Sequence, residues 1–445
     1  MILDRPLSAD ERRVSVRRLA FYNLVNGVSY ACVGETMMVL IAVRLGCPDA
    51  VSAAIGTMLY VGFAALPLGR LAAARWGAAR SAGGFWVLRN LFALLLVAAG
   101  LWGARHPALT AATVLLGAFG FYASRAAGVV LNGPLLGDCT SEDARGAVLG
   151  RLAALFYVGM CSGLVGVLLA MHASDSFGAL AAVVCVGSAF GAWSAWFLGR
   201  VHETSALRDG ARQPVLADLH EIASNRAFKR YVLACCCLNL VAMLVQPASV
   251  IILKRGYGAT DLQAILFAAS GYVASVIGSW SNGPLARRYG PRKEMIASYA
   301  VTLGLCVFWI LLPDGSAAAP GVGLAALWAA GFFALGLSKT VMENSIGHYS
   351  ISVVEPRLRI SASTVLYTAM GAVSGLVGLS LASILMAIAS AGGATKEPGP
   401  VALAAYRGYF FSVLVLLGPM IVFAWRVIPL PEEVRRRLQH HHGVH

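Results

Sequence analysis

The sequence predicts an all-α polytopic membrane protein of about twelve transmembrane helices arranged as two pseudo-symmetric six-helix bundles. Three observations predict it: an excess of apolar residues, a dozen apolar runs of spanning length, and an uneven distribution of cations between those runs. Of 445 residues, 58% are apolar and only 13% are charged, where soluble domains carry about 25% charged residues. Mean hydropathy is +0.72. A soluble globule could not cover so much apolar side chain with polar surface, so lipid must be the solvent for much of the chain. The formal charge of +14 would point to nucleic acid if the cations clustered on a soluble face. Here they separate the apolar runs, and no nucleic-acid partner is expected.

Runs of about 18–25 residues cross a ~30 Å hydrocarbon layer as helices. Residues 1–18 form a tail with Arg12, Arg13, Arg17 and Arg18 and no small-x-small cleavage site, so the first run, 19–43, is expected to be a retained anchor. Runs 51–73, 82–103, 109–133, 149–171 and 176–198 complete a first bundle over 19–198. A polar stretch, 199–229, follows, in which Pro214 to Phe228 carries Val215, Leu219, Ile222 and Phe228 among charges, as an interfacial amphipathic helix or a solvated linker would. Runs 230–253, 262–284, 295–312, 322–346, 362–390 and 401–428 make a second bundle over 230–428, and 429–445 is a tail. The nine cysteines show no metal-ligand spacing, and the consecutive Cys235, Cys236 and Cys237 read as small apolar residues within a run.

With the N-terminus in the cytoplasm, the segments on that side hold 26 of the 35 cations. The opposite loops hold Arg44, Arg105, Lys254, Arg255 and Lys396, and Arg89, Arg125, Lys339 and Arg407 lie within runs. This bias is the positive-inside pattern and places both termini in the cytoplasm. The halves also repeat. Arg75-Trp76-Gly77 recurs as Arg288-Tyr289-Gly290 at an offset of 213, and Asn26 recurs as Asn239 at the same offset. Arg145 recurs as Arg359, and Ser124-Arg125 as Ser338-Lys339, at 214. Four ordered matches at nearly constant offset indicate a duplicated six-helix unit.

The segment from Gly283 to Lys293 (Gly-Pro-Leu-Ala-Arg-Arg-Tyr-Gly-Pro-Arg-Lys) resembles the loop pattern Gly-x-Leu-Ala-Asp-Arg-x-Gly-x-Arg-Lys of the major facilitator superfamily of secondary transporters. A degenerate copy runs from Gly69 to Arg80, and Asn132 to Gly146 resembles that family's junction of helices four and five. The resemblance implies six plus six helices, cytoplasmic ends, and two halves rocking about a central substrate site. It implies a gating-loop motif at Gly283, Arg287, Arg288 and Gly290, with Arg75 and Gly77 in the first half. The family carboxylate is replaced by Arg287 and Ala74, so the charge network it joins at the cytoplasmic gate must be built otherwise or be absent.

Ionisable groups at membrane depth are costly in hydrocarbon and mark candidate substrate or coupling sites. Glu35 lies deepest, ~24 Å into the first run at 1.5 Å per residue, and is the candidate proton-coupling group; its other reading is a carboxylate paired within the bundle. Arg125 and Lys339, at matching positions of runs four and ten, could grip a substrate carboxylate or phosphate, or Lys339 could simply neutralise Glu343 one turn away. Arg89 and Arg407 could contact substrate or extend to the interface. Asn26 and Asn239 could hydrogen-bond substrate or neighbouring helices. Four intramembrane cations against Glu35 and Glu343 favour a small organic anion as substrate.

The expected function is therefore a secondary active transporter, a symporter or antiporter, moving a small solute by alternating access across a bacterial-type inner membrane and coupled to protons. Its expected partners are membrane lipids, that small molecule and protons, and it is expected to act as a monomer. No P-loop, H-E-x-x-H or G-x-S-x-G motif occurs, so no enzyme activity, cofactor or metal is expected. The alternatives are a lipid or drug flippase of the same fold and a sensor that binds without transport.

Overall fold

The computed structural model describes residues 2–47, 49–141, 144–174, 176–213, 222, 224–315, 321–390 and 399–428. The protein is helical almost throughout. In chain order the main helices are α1 (Ala9–Val33), α2 (Glu35–Arg44), α3 (Asp49–Gly62), α4 (Leu66–Trp76), α5 (Ala78–Ala98), α6 (Pro107–Cys139), α7 (Arg145–Ala173), α8 (Phe177–Leu198) and α9 (Ser205–Arg212). They continue as α10 (Arg226–Ile251), α11 (Asp261–Tyr289), α12 (Pro291–Leu311), α13 (Val322–Val353), α14 (Arg359–Tyr367), α15 (Ser374–Ser390), α16 (Pro400–Leu417) and α17 (Met420–Val427). Among the described residues, ten helical stretches are long and apolar enough to cross a membrane. The expected spans at 51–73 and 262–284 are helical too, as α3 with α4 and as α11.

Helix ends follow local chemistry more closely than the apolar runs do. The first helix begins at Ala9, ahead of its apolar run, because Ser8 and Glu11 form a capping box that satisfies the first-turn amides. It breaks at Gly34. The second expected span is interrupted by a 3₁₀ turn at Phe63–Ala65, and α10 runs into a π-helical turn at Ile252–Gly256. Thr260 and Gln263 form a second capping box at α11. Most of the expected amphipathic stretch from Pro214 to Phe228 lies outside the described residues, as do Lys396 and the tail 429–445.

The chain forms two compact units, one of residues 1–224 with 350–368 and one of 225–349 with 369–445. Thus the run expected to span at 362–390 contributes α14 to the first unit and α15 to the second. In the first unit α1 packs on α7 and α8, while α5 packs on α6 and α8. Small residues set these distances. A Cβ on Gly27 would lie 2.1 Å from the Phe156 carbonyl oxygen, and one on Gly159 would lie 2.1 Å from that of Leu24. The core around Tyr22, Trp86, Val130 and Leu198 is continuous with Ile351 and Ile360 of the 350–368 segment. A short parallel pairing of β1 (Ile2–Leu3) with β2 (Glu203–Thr204) ties the N-terminal segment to the stretch after α8.

In the second unit, tyrosine hydroxyls cross-link helices through main-chain carbonyls: Tyr231 donates to Ile346, Tyr299 to Leu417 and Tyr409 to Leu244, at 2.8, 2.8 and 3.0 Å. Gly271 and Gly336 bring α11 against α13, where a Cβ on Gly336 would sit 2.0 Å from the Gly271 carbonyl oxygen. Within each unit the outer helix faces carry exposed apolar side chains, among them Leu169 and Trp193 in the first and Leu311 and Ile388 in the second, as contact with hydrocarbon requires. All nine cysteines are free, with Cys235 and Cys237 buried.

Candidate functional site

The first unit encloses a polar cluster centred on Arg89 of α5, which is only 1% exposed. One terminal nitrogen of its guanidinium donates to Asn26 Oδ1 at 2.9 Å and to Ser29 Oγ at 3.3 Å, both on α1. Its plane is flanked by the rings of Trp86 and Phe121, 5.1 and 5.3 Å from the guanidinium carbon. Trp86 donates its indole N–H to the same Asn26 oxygen at 2.9 Å. Asn90 donates to the Trp86 carbonyl and accepts from Ser29. Among the described residues no carboxylate pairs with Arg89, so its charge is met by amide, hydroxyl and ring dipoles alone. Arg125 of α6 is half-buried and lies 5.3 Å from the centre of the Tyr30 ring. Asn132 donates to the Tyr22 hydroxyl at 3.4 Å, and Tyr22 packs edge-on to Trp86.

These contacts place Asn26, Arg89 and Arg125 together in one bundle. They also show that Arg89 does not extend to an interface: its helix turns it inward onto α1. Glu35 opens α2, but its side chain lies outside the described residues.

In the second unit the expected residues are dispersed. Asn239 of α10 donates to the Met370 carbonyl at 2.7 Å and to Ser374 Oγ at 3.4 Å. Met370 sits in the π-helical stretch Thr368–Val373, where widened turns release carbonyls from the helix ladder and a side-chain amide replaces the lost donor. Lys339 is half-buried and Glu343 exposed on α13, and no ion pair joins them among the described residues. Arg407, within the first half of α16, is held by Asp314 at 2.8 Å and by the Leu312 carbonyl at 2.5 Å.

The gating-loop motif is structured by its glycines. Gly77 and Gly290 close α4 and α11 and open α5 and α12 at φ of +87° and +76°, conformations that side chains resist. Gly77 is also crowded: a Cβ there would lie 2.4 Å from Glu203 Oε1. Gly283 is buried in α11, Arg287 is exposed, and Arg75 and Arg288 lie over the adjacent rings of Trp76 and Tyr289.

A network of charged and polar side chains is assembled in the first unit. Asp138, at the end of α6, pairs with Arg359 at 3.5 Å and accepts from both the amide and the hydroxyl of Thr204 at 2.9 and 2.6 Å. Arg145, the repeat-equivalent of Arg359, donates to the Ile351 carbonyl and to Thr140. The buried Arg70 donates to the Ser361 hydroxyl at 2.5 Å and to the carbonyls of Ala211 and Gln213 at 3.3 and 2.8 Å. Glu203 accepts from the amides of Ala78 and Ala79 at 2.7 and 3.3 Å, capping α5; burial pushes its carboxyl above the ordinary range. Sequence reasoning missed Asp138, Glu203 and Arg70 as members of this network. Arg70 lay within the quoted loop copy and Asp138 within the quoted helix junction, so their proximity to motifs was the available signal. It also missed Glu294 of α12, which is buried and accepts from Ser345 at 2.7 Å.

A duplicated helical bundle of this kind, with glycine-turned cationic loops and a polar cluster at membrane depth, defines a polytopic transporter fold. The chain belongs to the Major Facilitator Superfamily, whose sequence profile matches residues 19–350. It is similar in structure to the Escherichia coli fucose:proton symporter FucP, with a TM-score of 0.66, 14% identity, and coverage of 92% of this chain and 99% of that one. A bacterial homologue of the iron transporter ferroportin in an outward-facing state gives 0.64, 14%, 92% and 99%. The proton:xylose symporter XylE gives 0.66, 12%, 95% and 97%. At these identities the likeness concerns the fold. No curated protein matches the chain by sequence.

Proposed function

We propose that the protein is a secondary active transporter, and not an enzyme, that moves a small organic anion by alternating access in a bacterial-type inner membrane, with both termini cytoplasmic. The observation that carries the anion is Arg89. A guanidinium withdrawn from water with no carboxylate partner among the described residues is expensive, and the cluster of Asn26, Ser29 and Trp86 keeps it fixed in the bundle that also carries Arg125. That environment leaves net positive charge for a carboxylate or phosphate to neutralise. Arg125 supplies the first repeat's direct contact and Lys339 the second's, while Arg89 sets the local potential. Protons are the proposed coupling ion and Glu35 their carrier, and the protein acts as a monomer with lipid and its solute as partners.

The test is a thermal-shift screen of purified protein against anionic and neutral metabolites, since a ligand that prefers the folded state raises its apparent stability. The proposal expects hits among mono- and dicarboxylates or phosphate esters, with the shift lost in Arg125→Ala and Lys339→Ala. Hits confined to neutral compounds, or unchanged anion shifts in both variants, overturn it. Coupling is tested separately: Glu35→Gln, expressed at normal levels, should bind the solute but fail to accumulate it against a gradient. Accumulation equal to wild type removes Glu35 from that role.

A further inference from the structure

We propose that the first unit holds an acidic phospholipid in a cleft between the N-terminal parts of α1 and α7. The two helices are in backbone contact from Gly27 and Gly159 onward. Toward their N-termini they leave a cleft of about 780 Å³, within the range of small-molecule sites. Its composition is divided. Arg12, Arg13, Arg17 and Arg151 line it, and among the described residues no acid does. Val16, Leu24, Val148, Leu152 and Leu155 supply apolar wall.

The arginines are available for an anion. None of the four is ion-paired among the described residues, and the Nε of Arg12 is buried without an acceptor. Arg17 lies over the ring of Phe21, which is itself exposed at the cleft. Of the two acids in the first turn of α1, Glu11 is committed to Arg5 at 2.8 Å, and Asp10 pairs with none of the four arginines among the described residues. A free inorganic anion would account for the guanidinium groups but not for the apolar walls beside them. A phospholipid accounts for both: its phosphate sits among the arginines at headgroup level, and an acyl chain runs along Val148, Leu152 and Leu155 toward the hydrocarbon. Cations at the ends of spanning helices recognise anionic headgroups in this way, and several acting together give a preference that adds across residues.

Native mass spectrometry of the full-length protein in equimolar phosphatidylglycerol and phosphatidylcholine tests this. Wild type should retain phosphatidylglycerol over phosphatidylcholine by about tenfold or more. Replacing the exposed Arg13, Arg17 and Arg151 by Gln should abolish the preference without lowering the melting temperature in detergent. A control with the same charge loss on exposed sites elsewhere, Arg80→Gln with Arg226→Gln and Arg287→Gln, should keep it. The chain-free headgroup glycerophosphoglycerol should not compete. Equal retention of the two lipids, equal loss in both triple variants, or full competition by the chain-free headgroup overturns the proposal, the last by showing a free-anion site.

Discussion

Asn26 is the residue on which the buried cluster turns, because one oxygen accepts from two side chains, Trp86 and Arg89. Asn26→Ala strands the Trp86 indole N–H and leaves the Arg89 guanidinium only its weaker bond to Ser29, and should cost about 1–3 kcal/mol, seen as a lower melting temperature in detergent. Asn26→Asp keeps an acceptor and adds charge compensation for Arg89, so it should fold at least as well as wild type but weaken binding of anions. Glu203 gives a pH signature. Its folded carboxyl titrates above the ordinary 4.5 because burial disfavours the charge. Its contribution to stability is therefore present below that value and is lost as pH rises through the folded value. Glu203→Gln keeps an acceptor for Ala78 and should be more stable than wild type by a margin that grows from pH 5 to pH 8 in thermal melts; a constant margin contradicts this. At this scale the sequence singled out ionisable residues within apolar runs but not which way they face. Arg89 could have extended to water until α1 was seen to supply Asn26 and Ser29, residues sixty positions away that no local pattern connects to it.

Helix contacts in the first unit depend on positions where no side chain fits. Gly27→Ala forces α1 from α7 and should destabilise the protein by roughly 1–3 kcal/mol, whereas Gly166→Ala, on the same α7 but with open space around it, should be neutral in the same melts. Equal effects of the two substitutions would remove close packing as the explanation. Apolar runs pointed to helices throughout, and ten of the described stretches are long and apolar enough to span, since twenty or so apolar residues have few other fates in lipid. They did not reveal the ends: α1 starts at its Ser8 cap rather than at its apolar residues, and α13 continues to Val353 through a polar stretch. Nor did they reveal the π-helical turn at Met370, whose carbonyl accepts from Asn239 on another helix.

At the scale of the molecule, the internal repeat and cationic loops identified the fold class, because duplication leaves residues at constant offset. The charged network at the end of the first unit was not legible, because it is built from residues distant in sequence. Asp138 is its centre. Asp138→Ala removes the ion pair to Arg359 and the acceptor of both Thr204 bonds and should cost about 1–3 kcal/mol; exchanging the charges, Asp138→Arg with Arg359→Asp, should recover part of that loss in the same melts. The measurement that tests the account most directly is solute counterflow in proteoliposomes. Vesicles preloaded with the anion identified by thermal shift should take up labelled anion transiently, at a rate at least tenfold lower with Arg125→Ala. Binding without any counterflow, or counterflow of neutral solutes alone that Arg125→Ala leaves unchanged, would contradict the account.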